Sequence, residues 1–295
     1  MSRRTRADLA LVLVAFIWGA TFVVVKRALE DISPILFLTV RFTLAAVLLV
    51  AWFRRTWKPE PGRWAFELKA GLATGFCLAA GYALQTIGLE TTSPANTGFI
   101  TGFYIPLVPI LGALLYRRAP AWIEVAGVAV ATAGIGLLTW PEGGFRFRTG
   151  DLLVLLGAVA FAGHILTLGH FAKSTSAASL SVLQIAVGAG FGWCTFWWIE
   201  PVRVQWTASV WTALAATALL ATAVAFALQS WAQKHTTATR TALIFALEPV
   251  FAWLTSWWVT GEVLTPRAAL GAAAVLAGIL AVELRPKRTG TGAVH

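Results

Sequence analysis

Glu248 stands in the middle of an apolar stretch, directly before Pro249, with Thr241 and Thr255 seven residues to either side on the same helical face. An ionisable side chain in such a place is costly, so it needs a partner or a task. Two readings follow: a protonatable carboxylate lining a pathway, or a charge paired with Arg41 or Lys26 that locks helices together. Pro249 frees a carbonyl one turn back, an irregularity tolerated where the backbone lines a cavity or is buried in protein. Arg41 lies well inside its own apolar stretch and has the same two options. Its planar fork suits bidentate capture of a carboxylate, and it equally suits a helix lock. Lys26 stands near the end of its stretch and can snorkel to the interface.

The other polar groups within apolar stretches are neutral. Gln85 and Gln229 recur in matching contexts, Ala83-Leu84-Gln85 and Ala227-Leu228-Gln229, which suits paired polar gates or interhelical hydrogen bonding. His164 is either a buried neutral imidazole bonded to a neighbour or a group for proton coupling, since its unperturbed pKa is near 6.5. Asn96, Thr97, Thr101 and Tyr104 give one stretch a polar path from its mouth to its centre, and Trp18 and Trp231 lie deeper, or nearer polar neighbours, than the other tryptophans. Together with Thr21, these residues define a candidate substrate surface: Trp18, Thr21, Gln85, Asn96, Thr101, Tyr104, His164, Gln229, Trp231 and Glu248. Aromatic members would enclose an apolar solute while amides and hydroxyls orient its polar groups. The chain has no His-Glu-x-x-His, Walker loop or Gly-x-Ser-x-Gly, so no catalytic residue, metal or cofactor is expected, nor is ATP drive, for want of a phosphate loop. Cys77 and Cys194 both fall inside apolar stretches and read as small buried side chains.

The elements that must hold these groups are membrane spans. Apolar residues are 58% of the chain and charged ones 12%, and the mean hydropathy is +0.75. About ten stretches approach the roughly 20 residues a span needs: 8–29, 34–53, 67–89, 96–116, 121–139, 151–172, 179–199, 209–232, 239–260 and 266–284. Prolines fall at their starts or in the connections, and small residues such as Gly71, Gly75, Ala79 and Ala83 recur at helix-packing spacing. The net charge of +10 is topogenic rather than a nucleic-acid footprint. With the N-terminus inside, the inner connections collect Arg3, Arg4, Arg6, Arg54, Arg55 and Lys58 among many others, whereas the outer ends hold only Lys26, Arg27, Arg146, Arg148, Arg203 and Arg267. Both termini are therefore expected in the cytoplasm. Arg3-Arg4 before an apolar run resembles a signal peptide, but no small-x-small site follows, so an uncleaved first helix is expected.

The chain also nearly repeats itself. At the offset that carries Gln85 onto Gln229, Thr92 meets Thr236, Thr97 meets Thr241, Gly127 meets Gly271, and Ala133-Gly134-Ile135 meets Ala277-Gly278-Ile279. Asp8-Leu9 and Asp151-Leu152 each open a long apolar run. A duplicated unit with an odd number of spans must insert in opposite orientations, which is the signature of an inverted-repeat carrier with its site where the repeats meet.

Trp18-Gly19, Arg41 after a proline-led second stretch, Pro106, Glu248-Pro249 and Gly261-Glu262 resemble, in type and order, the EamA family of the drug/metabolite transporter superfamily. The resemblance covers essentially the whole chain in two EamA-like halves. It implies a ten-helix inner-membrane carrier with cytoplasmic termini, peripheral helices five and ten packing at the repeat edges, and export of amino acids, other metabolites or drugs. Arg117-Arg118 replaces the Gly-Glu ending in the first half, so Glu262 is read as an interfacial residue and not as part of the transport path.

The expected molecule is an all-α polytopic membrane protein of about ten transmembrane helices, two inverted five-helix repeats at 1–140 and 141–285 with a disordered tail at 286–295. Its expected activity is secondary export of small organic solutes by alternating access. A polytopic enzyme acting on a lipid-linked substrate and a non-transporting scaffold are the alternatives. Expected partners are a small-molecule substrate and the bilayer, with no nucleic acid, and the protein is expected to be a monomer or weak homodimer.

Overall fold

The computed structural model describes residues 1–57, 62–92, 94–117, 119–140, 147–260 and 265–283. Within them the chain is helical: α1 (Arg3–Ala28), α2 (Pro34–Phe53), α3 (Trp64–Thr91), α4 (Pro94–Thr101), α5 (Tyr104–Tyr116), α6 (Trp122–Thr139), α7 (Thr149–Phe171), α8 (Ala177–Ile199), α9 (Ala208–Ala216), α10 (Ala225–Ala232), α11 (Ala238–Phe245), α12 (Glu248–Thr260) and α13 (Pro266–Glu283). A π-helical segment, Thr217–Val224, joins α9 to α10. Only helices and closed barrels satisfy every backbone group within a bilayer, and this chain uses helices. Their starts carry ordinary caps. Ser2, Ser176, Thr207 and Thr237 each accept a hydrogen bond from the backbone N–H three residues on, and Pro34 opens α2 where its missing N–H costs nothing.

Among the described residues, eight helical stretches are long and apolar enough to cross a membrane: Pro34–Phe53, Trp64–Gly88, Asn96–Tyr116, Trp122–Thr139, Thr149–Phe171, Ala177–Ile199, Ala208–Ala232 and Ala238–Val259. Pro266–Val282 is apolar but shorter, and α1 is 26 residues long. Two stretches that the sequence presents as continuous are broken. Between α4 and α5 the chain turns at Gly102-Phe103, and between α11 and α12 at Ala246-Leu247, positions related by the repeat offset. Just beyond each turn a proline, Pro106 or Pro249, has no N–H for the preceding turn. The last turn before each break tightens instead: Phe103 N donates to Ile100 O and Leu247 N to Ile244 O, both at 3.0 Å. The Gly261-Glu262 ending, Arg118, most of the connection after Trp140 and the tail lie outside the described residues.

Packing follows the small residues. Helix α3 lies against α7 and α8, α2 against α8, α1 against α12, and α6 against α13. In the last pair the backbones nearly touch: a Cβ at Gly134 would stand 2.7 Å from Gly271 O, and one at Gly271 would stand 2.6 Å from Gly134 O. Gly127 and Gly278 repeat this contact one seven-residue step away. Lipid tails are as apolar as leucine, so this close approach, and not burial from water, holds the pair together. The main core gathers Leu11, Tyr104, Ile105, Val108, Ile165 and Phe245 from four helices. The outer surface exposes Leu13, Val47, Phe76, Leu114, Leu152 and Leu276, with Trp122, Trp198 and Trp258 more than four-fifths exposed. An apolar exterior around a polar-dotted interior identifies an all-α polytopic membrane protein.

The α6–α13 contact yields a direct expectation. Gly271→Val places side-chain atoms against backbone that has no room to move, and overpacking of this kind costs about 1–3 kcal/mol. Thermal denaturation in detergent, followed by size exclusion, should show a lowered Tm for Gly271→Val. Gly190→Ala, where nothing lies within 4 Å of the added Cβ, should leave it unchanged or higher.

Candidate functional site

The π-helical segment sets the geometry at the centre. There Ala225 N reaches back five residues to Leu220 O, and the wider turn presents Ala221 O and Thr222 Oγ1 to the neighbouring helices. Trp18 Nε1 donates to Ala221 O at 2.8 Å. Arg41 Nη2 donates to the same carbonyl at 3.3 Å, and Arg41 Nε donates to Thr222 Oγ1 at 2.7 Å. Arg41, only 5% exposed, thus spends two of its donors on the π segment, with its guanidinium carbon 5.4 Å from the centroid of the Tyr82 ring. Trp18 meets Phe226 and Phe245 at centroid distances of 5.5 and 4.9 Å. Tyr82 meets Phe42 and Phe161 at 5.4 and 5.2 Å. Trp18 and Phe161 occupy matching places in the repeated runs, as do Phe226 and Tyr82, so the two aromatic pairs are counterparts.

Glu248 is the first residue of α12, just after the Ala246-Leu247 turn, where the helix end favours a carboxylate. Its counterpart Tyr104 opens α5 in the same way. Helix α1 presses on this point, because a Cβ at Gly19 would stand 2.6 Å from Glu248 O. Tyr82 and Tyr104 both lie within electrostatic reach of the carboxylate. No hydrogen bond or ion pair within 4.0 Å joins Glu248 to any side chain among the described residues, Arg41 included. The residue as a whole is half-buried. Trp18, Arg41, Tyr82, Tyr104 and Glu248 therefore form one cluster, and it includes Tyr82, which the sequence marks only by its neighbourhood to Gln85.

The remaining expected residues fall into separate groups. Thr21 Oγ1 is satisfied on its own helix, by Ile17 O at 2.8 Å. Gln85 Nε2 donates to Thr101 Oγ1 at 2.9 Å, tying α3 to the end of α4. His164 Nε2 contacts Gln184 Oε1 at 2.8 Å, and Gln184 Nε2 donates on to Ser230 Oγ at 3.1 Å, so a buried chain links α7, α8 and α10. Gln229 is fully buried and donates to Gln233 Oε1 at 3.1 Å, whose amide donates to Ile165 O at 2.9 Å. Asn96 is buried beside Asp151, with Nδ2 3.4 Å from both carboxylate oxygens, and Thr92 Oγ1 donates to the same carboxylate. Trp231 lines a cavity at the end of the molecule that holds the start of α1. A second, apolar cleft of about 470 Å³ beside the α4–α5 break, walled by Phe99, Phe103, Pro106, Ile135 and Trp140, contains none of the expected residues. No group of three or more His, Cys, Asp or Glu side chains suited to a metal occurs among the described residues.

One pair escapes a reading of the sequence by loops. Arg240 grips Asp8 with both arms of its fork, Nε to Oδ1 and Nη2 to Oδ2 at 3.1 Å each, and Thr236 Oγ1 adds a contact at 3.4 Å. The repeat offset is the signal that finds it. Thr236 and Arg240 stand where Thr92 and Asn96 stand in the first half, and Asp8 stands where Asp151 stands in the second. The chain thus builds the same carboxylate–threonine junction twice, once closed by a guanidinium and once by an amide. The Asp8 and Arg240 side chains are 11% and 5% exposed, so removing one partner strands a buried charge at a cost of about 3–5 kcal/mol. Asp8→Asn and Arg240→Gln should each lower Tm sharply, and the double variant should recover part of the loss. Additive losses in that double-mutant cycle would contradict the coupling.

Comparison with known proteins matches this architecture. The profile of the EamA-like transporter family fits residues 5–140 and again 148–284. A protein from Archaeoglobus fulgidus named an uncharacterized transporter is 36% identical over 96% of this chain and 87% of its own length. A protein from Streptantibioticus cattleyicolor named a probable terminal-alkyne amino-acid exporter is 25% identical over 95% of this chain and 94% of its own. A crystal structure superposes with a TM-score of 0.82 at 19% identity, covering 97% of this chain and 99% of that one, and so shares the fold. With both halves of the chain fitted and a relative aligned along nearly its full length, this membrane transporter belongs to the EamA-like transporter family.

Proposed function

We propose that this transporter is a secondary carrier that exports small organic solutes, amino acids or related metabolites and drugs among them, across the cytoplasmic (inner) membrane by alternating access. It is built as two inverted five-helix repeats, 1–140 and 141–285, with α1 and α13 as the first and tenth spans and both termini in the cytoplasm. The observation that carries this reading is the matched pair of broken spans. Tyr104 and Glu248 each open the second half of a span interrupted at equivalent places, and both lie near Tyr82. Discontinuous spans of this kind are where carriers with inverted repeats bind their cargo, because interrupted backbone is tolerated only in protein or against a cavity.

The cluster's chemistry favours a solute with an ammonium group and an apolar body. The unpartnered Glu248 carboxylate would meet the ammonium, and the rings of Trp18, Tyr82 and Phe245 would enclose the body. Arg41, whose guanidinium also stands against the Tyr82 side chain, would meet a carboxylate with its remaining donors, which would give an amino acid partners for both of its charges. The amino-acid exporter among the relatives is consistent with this assignment. The two carboxylate–threonine junctions support alternation. The one at the start of α1 and the one at the start of α7 lie at opposite ends of the proposed spans, so each ties the repeats together on one side of the membrane.

Flux into proteoliposomes without added cofactor tests the reading. Wild-type protein should accumulate a transported amino acid, and Glu248→Gln should reduce the rate at least about tenfold, the size of a single lost charge-assisted contact. Arg41→Gln should do likewise, and the double variant should fall less than the product of the two losses if one ligand bridges both charges. Equal rates for wild type and Glu248→Gln would remove Glu248 from the site. Topology has its own check: a C-terminal reporter should be active only with a cytoplasmic marker, and a periplasmic phosphatase signal would overturn the orientation.

A further inference from the structure

Helix α3 and the span Ala208–Ala232 run in step through the repeat. Trp64, which opens α3, lies at the offset of Ala208, which opens α9, and Gln85 lies at that of Gln229. No residue is inserted between these points, yet 73–80 is ordinary α-helix while its counterpart Thr217–Val224 is π-helical. The wider turn therefore answers what packs against it and not an extra residue. The contact that meets it is absent from the other half. At the offset that carries Asp8 onto Asp151, and the cap Ser33 onto the cap Ser176, Arg41 of α2 corresponds to Gln184 of α8. Thr222 corresponds to Leu78. Gln184 turns to His164 and Ser230, and the helix opposite it stays α. Where a guanidinium meets a hydroxyl, the turn widens.

Thr222 is fully buried. Thr39, Thr74 and Thr217 are equally buried, and each donates to the carbonyl four residues back at 2.7 Å, the usual answer for a hydroxyl within a helix. Thr222 makes no such bond among the described residues and receives Arg41 Nε at 2.7 Å instead. Nε and Nη2 form one edge of a guanidinium, the edge with which Arg240 grips Asp8. In Arg41 two neutral acceptors, Thr222 Oγ1 and Ala221 O, fill that edge. The five donors of a guanidinium lie in a fixed plane, so pinning two of them settles where the other three point. Without the hydroxyl, Nε is left unmet in apolar surroundings and the fork turns towards another acceptor. We propose that Thr222 is the positioning residue for Arg41, and that it thereby sets the transporter's preference for cargo bearing a carboxylate. This rests on the cargo proposed above, in which Arg41 meets that carboxylate.

The test is uptake into proteoliposomes holding the full chain, with the common amino acids as cargo. For each one transported, its decarboxylated amine serves as a competitor that has the ammonium and the apolar body alone. Thr222→Val, which keeps the shape and removes the hydroxyl, should raise KM for the amino acid about tenfold, the size of one lost charge-assisted hydrogen bond, with kcat little changed. The amine should compete against this variant as well as it does against the wild type. Thr222→Ser keeps the hydroxyl and should restore the wild-type KM. Equal weakening of amino acid and amine would make Thr222 a packing residue and overturn the proposal, as would an unchanged KM for the amino acid. Should Thr222→Val fail to fold, Thr222→Ala is read against the same two ligands. A wild type that moves none of the amino acids would refute the proposed cargo itself, a result distinct from any seen in the variants.

Discussion

Backbone hydrogen bonds that the helices cannot keep for themselves are the constraint on which the centre of this molecule depends. In hydrocarbon an unpaired carbonyl costs several kcal/mol, about what a strong contact returns, so an irregular turn survives only where something else answers it. Here three irregular turns come together: the breaks before Tyr104 and Glu248 and the π segment at Thr217–Val224. The π segment is answered by protein, since Ala221 O accepts from both Trp18 and Arg41. That shared carbonyl fixes the indole and the guanidinium relative to one another, and the aromatic pairs around Tyr82 and Phe226 pack outward from it. The break before Glu248 ends in a carboxylate to which no side chain among the described residues is hydrogen-bonded or ion-paired.

The two halves of the chain keep the same scaffold and differ in charge. A carboxylate at the start of α1 or α7 meets a threonine at the corner of the opposite half, and the fourth group is Arg240 in one case and Asn96 in the other. An arginine–carboxylate fork at 3.1 Å is stronger than an amide–carboxylate contact at 3.4 Å, so the two junctions are not of equal strength. The same divergence appears at the centre, where Tyr104 corresponds to Glu248 and Tyr82 to Phe226. The repeat offset therefore preserves backbone geometry while the side chains that meet on it have diverged.

Much of the scaffold is legible in the sequence because it obeys local rules. The proline-led run at 34–53 is helix α2 to the residue, and 209–232 and 266–284 begin and end within a residue of the observed helices. The interruptions are less legible. Ala246-Leu247 carries no breaking signature of its own and Gly102-Phe103 only a glycine of the kind that recurs within unbroken spans, while a proline follows each. The π segment, Thr217–Val224, contains neither glycine nor proline, and its reason lies in Trp18 and Arg41 reaching for a carbonyl from helices about two hundred residues away. Of the expected site, Trp18, Arg41, Tyr104 and Glu248 come together, whereas Asn96, Gln229 and Trp231 occupy separate places along the spans. Polarity within an apolar stretch marks a residue that needs a partner. It does not say whether the partner is a helix or a ligand.

Arg41 and Glu248 show how that distinction is drawn. Both are charges within apolar stretches, and a direct salt bridge would have satisfied each at the cost of desolvating both. Arg41 is answered instead by a hydroxyl and a carbonyl, neutral acceptors that orient the guanidinium without cancelling its charge. Glu248 rests at a helix start whose dipole favours a negative group. Opposite charges held apart, each steadied by dipoles, leave a field across the space between them. Whether a buried charge is answered by another charge or by dipoles is thus decided by what the neighbouring helices present to it.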